Sequence, residues 1–135
     1  MKKRTDYENF IVSTKENVTF LHRCSLNQAE SILKTGLRTK GDIRGLATIQ
    51  PQDLEGAIGL YNNGHEYGDK VIIVQIPREV YNHAREKVGK WNDPCQDESI
   101  STNDLSLGLE GFGIIKTEFV PGYIDRTTNE VYLKE

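Results

Sequence analysis

The chain is poor in the residues that build disulfide scaffolds and membrane spans. Only two of its 135 residues are cysteine, Cys24 and Cys95, too few for a disulfide-stapled fold, and two reduced thiols in a cytosolic setting are the simpler expectation. No apolar run approaches the roughly 20 residues needed to cross a bilayer. The basic start MKKRTDYENF has no apolar stretch behind it, so a soluble chain is expected, cytoplasmic or delivered into a host cell by a leaderless route. Charge of one sign is not in excess either. Seventeen Lys and Arg against 20 Asp and Glu give a net charge of −3 and a pI near 5.7. That balance argues against general binding along a phosphate backbone and leaves room for one local basic patch. The three histidines, His22, His65 and His83, share no metal-ligand spacing with each other or with the cysteines, so no metal site is expected. Internal repeats, low-complexity tracts and linkers are absent, and 135 residues make one domain with a core of useful size.

What is there is organised around Val18 to Thr39. Val18, Phe20 and His22 alternate with Thr19, Leu21 and Arg23, which predicts a strand ending in a polar pair. A helix is predicted directly after it. Ser25 is a good N-cap, and Gln28 completes the Ser-x-x-Gln box that satisfies amide donors at the first turn. Ala29, Ile32 and Leu33 give its apolar face, Lys34 suits its last turn, and Gly36 ends it. His22 and Arg23 thus end a strand beside a helix N-terminus, a place where free amides and the helix dipole favour anions such as pyrophosphate.

Elsewhere the signals are of mixed strength. Residues 1–17 offer only Tyr7, Phe10, Ile11 and Val12 for burial and read as an N-terminal extension, with residues 18–135 as the domain. Leu46 to Ile49 reads as a short strand after a turn-forming loop, and Pro51 begins a helix whose stripe is Leu54, Ala57, Ile58 and Tyr61. Val71 to Ile76, the most apolar run, marks a central strand buried on both faces and closed by Pro77. A helix over residues 78–89 would use Val80, Ala84 and Val88. A turn-rich loop containing Trp91 and Cys95 precedes Glu98 to Ser101, and a short segment around Leu105 to Leu109 leads to an extended Gly113 to Lys116. Val120 to Asp125 and Val131 to Leu133 flank Arg126 to Asn129 as a terminal hairpin. Short strands with a few modest helices, without regular βαβ alternation, predict an α+β domain on antiparallel or mixed sheets.

Two phrases in this chain resemble ADP-ribosyltransferase-like domains. Leu21-His22-Arg23-Cys24, with Ala29 to Leu37 after it, is similar to the family's opening, usually Tyr-His-Gly-Thr or Tyr-His-Arg-Thr followed by a short helix and Gly-Leu. Gly113 to Asp125, containing Thr117-Glu118-Phe119-Val120-Pro121-Gly122-Tyr123-Ile124-Asp125, resembles the closing phrase of bacterial members. The Tyr67-Gly68-Asp69 turn and the Val71 to Ile76 strand fall between them in the family's order, so the resemblance spans about residues 18 to 133. It implies a split β-sheet core of two small, mostly antiparallel sheets with short flanking helices.

It also implies a chemistry. Members break the sugar–nicotinamide bond of NAD+ through an oxocarbenium-like transition state, which needs a carboxylate near the ribose. Gln96-Asp97-Glu98 fits the family's Gln/Glu-x-Glu motif, implying Glu98 as the catalytic acid and Gln96 as the acceptor-orienting residue; positions two apart on an extended segment point the same way. A solvated polar loop is the bland reading of the same three residues. Glu118, inside the closing phrase, is the alternative catalytic acid. The resemblance further implies that His22 bonds a ribose hydroxyl and that Arg23 approaches the pyrophosphate, against a satisfied strand-end histidine and a solvated arginine. In one respect the chain departs from the pattern. Members with His at the head usually place a Tyr on the next strand, and those with Arg place Ser-Thr-Ser, whereas Leu46-Ala47-Thr48-Ile49 has neither. Thr48 would supply one hydroxyl, and Tyr61 or Tyr67 the ring against nicotinamide, although Tyr61 sits on the apolar stripe of its helix. The expected activity is mono-ADP-ribosyl transfer from NAD+, without a metal, to a macromolecule, protein first and nucleic acid second, in the setting of a toxin, effector or phage-type modifier. An inactive binding module of the same fold and a relative that transfers an RNA phosphate to NAD are the alternatives, and low basic charge counts against the second.

Overall fold

The computed structural model describes residues 1–38, 54–62, 68–88 and 102–135. Their order is β1 (Lys2–Arg4), a 3₁₀ turn (Tyr7–Phe10), β2 (Asn17–Cys24), α1 (Leu26–Thr35), β3 (Leu37–Arg38), α2 (Leu54–Asn62), β4 (Lys70–Pro77), α3 (Arg78–Val88), α4 (Thr102–Gly108), β5 (Ile114–Ile115), a second 3₁₀ turn (Thr117–Phe119), β6 (Gly122–Asp125) and β7 (Glu130–Leu133). The fold is α+β. Five strands form an antiparallel sheet in the order β1-β7-β6-β4-β2, and β3 pairs with β5 in a two-stranded sheet. Among the described residues no helix is long and apolar enough to cross a membrane.

The strand β4 organises the layers because both its faces are apolar. Ile72, Val74 and Ile76 point to one side and Val71 and Ile73 to the other, and all five are buried. On the first side they meet Val18, Phe20 and Cys24 of β2, Tyr123 of β6 and the apolar residues of α1, α3, α4 and the small sheet. The other side packs Ile124 and Val131 against Ala57 and Tyr61 of α2 and against Ile11 and Val12. The sheet is therefore the middle of three layers. The N-terminal segment, expected as an extension, is tied into both the sheet and this second core, since Lys2, Lys3 and Arg4 pair with Leu133, Tyr132 and Val131.

The helix after β2 forms as its sequence dictates. The Ser25 hydroxyl accepts from the Gln28 amide, and the Gln28 side chain accepts in turn from the Ser25 amide at 2.9 Å. Ala29 and Ile32 are buried. Gly36 ends the helix at φ +93°, and a Cβ there would lie 2.6 Å from the Ile115 carbonyl oxygen, so only glycine lets β5 come this close. In α3 the buried residues are Tyr81 and Ala84, with Val88 partly covered, while Val80 is 40% exposed. The expected stripe began one residue early, because the face is chosen by Tyr81, whose ring packs 5.6 Å from that of Phe20. In α2, Ala57 and Tyr61 are buried, and Leu54, at the start of its stripe, is exposed. The terminal hairpin closes on Arg126 to Asn129, where Asn129 takes the left-handed conformation at φ 60°, as asparagine does more readily than most residues. The segments 39–53, 63–67 and 89–101 lie outside the described residues, and with them the strand expected at Leu46 to Ile49.

Candidate functional site

His22 stands at the C-terminal end of β2, paired in register with Ile72, and by strand alternation its side chain lies on the side of the sheet that carries α1. Ser25, the cap of that helix, is three residues on. Burial alone lowers the pKa of His22 and favours its neutral imidazole, which offers one donor and one acceptor nitrogen. On the same face and two residues further along the strands, Cys24 pairs with Lys70 and Lys70 with Asp125. Burial pushes the Cys24 thiol up to about 12, which makes it a packing residue rather than a nucleophile. The Lys70 ammonium is nearly covered, 3.1 Å from Asp69 and 3.6 Å from Asp125. Burial works against its charge, but the two carboxylates outweigh it and raise its pKa. Burial likewise works against ionised Asp125, and is outweighed by bonds from Thr127 and by Lys70.

Arg23 points to the opposite side of the sheet, as the next residue of a strand must. There its charge and that of Arg126 both act on Tyr61. The Tyr61 ring lies 5.1 Å from that of Tyr7 and 5.6 Å from the Arg126 guanidinium, and its hydroxyl donates to Asn129 Oδ1 at 3.1 Å. Burial chiefly raises the phenol pKa, against the opposing charges of Arg126 and Arg23. At 1% exposure, with Tyr7 and Arg126 against its ring, Tyr61 is a core residue and gives no wall to a cofactor. His22 and Arg23, expected at one ligand, are thus separated by the thickness of the sheet. Arg126 carried no signal beyond its place in a turn; its meeting with Tyr61 depends on sheet order.

Of the other expected site residues, Gln96, Glu98 and Thr48 lie outside the described residues, as does Tyr67. Glu118 is exposed on the second 3₁₀ turn, beside the last turn of α1 and so at the far end of that helix from His22. Among the described residues no cluster of His, Cys, Asp and Glu could hold a metal ion. No model of a known protein family matches the chain, and neither curated proteins nor solved structures yield a match.

The half-buried His22 gives the protein an expected pH dependence. Its folded pKa lies below the unfolded value of about 6.5, so on acidification the unfolded chain takes up the proton first. Stability is then lost as pH falls from about 6.5 toward the folded pKa and is flat below it. Chemical denaturation between pH 7.5 and 5 should show this decline, and His22→Gln should remove that part of it. The carboxylates with lowered values, Asp125 and Glu130 among them, lose their contributions only at lower pH.

Proposed function

We propose that this chain is an NAD+-dependent mono-ADP-ribosyltransferase with a split-sheet core of the ADP-ribosyltransferase type. The observation that carries the reading is the placement of His22: an imidazole at the end of β2, on the face of α1, three residues before the cap of a ten-residue helix closed by a capping box. His22 would bond a ribose hydroxyl of NAD+ through the nitrogens that its neutral form leaves available. The amides at the start of α1 lie where a pyrophosphate would gain from the positive end of the helix. In the reaction the bond between the ribose C1′ and the nicotinamide nitrogen breaks and nicotinamide leaves with the electron pair. Glu98 stabilises the positive charge that grows on the sugar. A nucleophile of the acceptor, oriented by Gln96, then bonds to C1′ and gives up its proton. Arg23, on the opposite face, and the buried Tyr61 have no part in this proposal.

A second reading, a binder of NAD+ without turnover, draws support from that burial of Tyr61, because it removes one of the two rings expected against nicotinamide. One measurement tests the binding common to both. NAD+ that engages only the folded state should stabilise it by about 2.7 kcal/mol at a hundredfold excess over its dissociation constant, seen as a raised melting temperature that His22→Ala abolishes. Absence of any shift at millimolar NAD+ would dismiss both readings. Labelled NAD+ incubated with a cell lysate separates them: label transferred to a macromolecule requires the enzyme.

A further inference from the structure

At the end of α1 remote from His22, an open cleft of about 450 Å³ lies between the last turn of the helix and the segment that follows α4. Ten helical residues span about 15 Å, so this cleft is separate from the strand-end site, and its assignment does not rest on the proposed function. Its walls carry Lys34, Thr35, Lys116, Thr117, Glu118 and Gly111. Among the described residues no ion pair engages Lys34, Lys116 or Glu118, whereas Lys3, Arg4, Lys70 and Lys87 are each matched to a carboxylate. Behind the wall, the Lys134 ammonium donates to the Thr117 carbonyl at 2.8 Å and brings a third positive charge close. The negative end of α1 opposes an anion only weakly here. Its final carbonyls accept from the Thr35 hydroxyl, at Ser31 O, and from the Gly36 amide, at Ile32 O, and Lys34 sits over that same turn.

One wall of the cleft is a turn held in a conformation that side chains rarely adopt. Glu110 and Phe112 have φ of 60° and 50°, and Gly113 follows at 101°. The fully buried Ser106 fixes it: its hydroxyl accepts from the Gly113 amide at 2.7 Å, and its carbonyl accepts from the Gly111 amide at 2.8 Å. A Cβ on Gly111 would lie 1.9 Å from the Ile114 carbonyl oxygen, so the chain closes tightly there. Lys87 ties the turn to α3 through Glu110. The result of this bracing is to hold Phe112, next in the chain to Gly111 of the wall, 80% exposed to solvent. A large apolar ring exposed to water, one residue along the chain from a cleft wall that carries two lysines, offers a stacking platform near a phosphate grip.

We propose that this cleft binds a ribonucleotide 5′-phosphate, with the base stacked on Phe112, the phosphate between Lys34 and Lys116, and the ribose hydroxyls donating to Glu118. Each unpaired group of the wall then meets one part of the ligand. Ammonium groups suit phosphate as point charges, a carboxylate accepts from a ribose diol as it does in dinucleotide sites, and the volume lies within the usual range for small-molecule sites, about 300–1,000 Å³. Two sources share this chemistry, a free nucleotide and the 5′ end of an RNA strand.

The test titrates AMP into the isotope-labelled protein and follows backbone amide resonances. Shifts should centre on Gly111, Gly113 and Thr117. The double substitution Lys34→Ala with Lys116→Ala should weaken both AMP and inorganic phosphate by at least about tenfold. Phe112→Ala should weaken AMP about tenfold, as loss of one stacking partner does, and leave phosphate unchanged. Glu118→Gln should erase the preference for AMP over its 2′,3′-dideoxy analogue. A 5′-phosphorylated oligoribonucleotide that binds more tightly than AMP assigns the site to a strand end, and equal affinity assigns it to the free nucleotide. All of these substitutions fall on exposed residues and leave His22 in place, so loss of AMP binding with NAD+ binding retained distinguishes this cleft from the strand-end site. No binding at millimolar AMP, shifts centred elsewhere, or affinity untouched by the double substitution would overturn the proposal.

Discussion

Replacing Phe20 with alanine should cost about 3–5 kcal/mol of folding stability, the usual penalty for deleting a fully buried aromatic ring. Phe20 is completely buried on β2, its ring packs against Tyr81 of α3, and the two belong to the larger core cluster together with Val74 and Leu105. Rigid neighbours on several sides leave the cavity little means of collapse. A domain of this size has about 5–15 kcal/mol in total, so the variant should be near the edge of folding at 37 °C. Val80→Ala is the matched comparison, since Val80 lies on the same helix as Tyr81 but faces solvent; surface changes of this kind usually fall within about 0.5 kcal/mol. Urea unfolding of both variants measures the difference. If Phe20→Ala loses less than about 1 kcal/mol, α3 does not pack on β2 through this pair.

The parts of the fold that could be read from sequence are those decided locally. Ser25 and Gln28 cap α1 as their spacing required, because both partners lie within four residues. The run Val71 to Ile76 announced a strand apolar on both faces, and the structure buries both. The terminal hairpin followed from two apolar runs around Arg126 to Asn129. What was not legible depends on which elements meet. The face of α3 is chosen by Phe20, which is more than fifty residues away in sequence, and no periodicity within residues 78–89 distinguishes Tyr81 from Val80 as its anchor. Tyr61 shows the same limit: its helix spacing allowed a core residue or a cofactor wall, and Tyr7, Arg126 and Asn129 decide for the core. His22 and Arg23 are neighbours in sequence, yet the period-two alternation of a strand places them on opposite faces, so adjacency in the chain is the wrong guide to a shared ligand. The cleft between Lys34 and Glu118 was invisible because it brings together the end of one helix and a turn some eighty residues later.

Glu98 and Glu118 are separated most sharply by their glutamine variants. If Glu98 stabilises charge that exists only in the transition state, Glu98→Gln should leave NAD+ affinity nearly unchanged and lower turnover by on the order of a hundredfold or more. Glutamine keeps the shape of the side chain and removes the charge, so binding survives and chemistry does not. For Glu118→Gln, turnover should stay close to that of the parent protein. Glu118 is exposed at the opposite end of α1 from His22, about 15 Å away along the helix. A carboxylate at that distance cannot touch a ribose held by His22, and exposed charges are screened by salt over about 8–10 Å. Its substitution should register instead in the discrimination between AMP and its dideoxy analogue. NAD+ hydrolysis, labelling of a lysate and AMP titration on both variants form one experiment with opposite expectations for the two residues. Should Glu118→Gln abolish turnover while Glu98→Gln leaves it intact, the Gln96-Asp97-Glu98 assignment is wrong and the acid lies at the cleft beside α1.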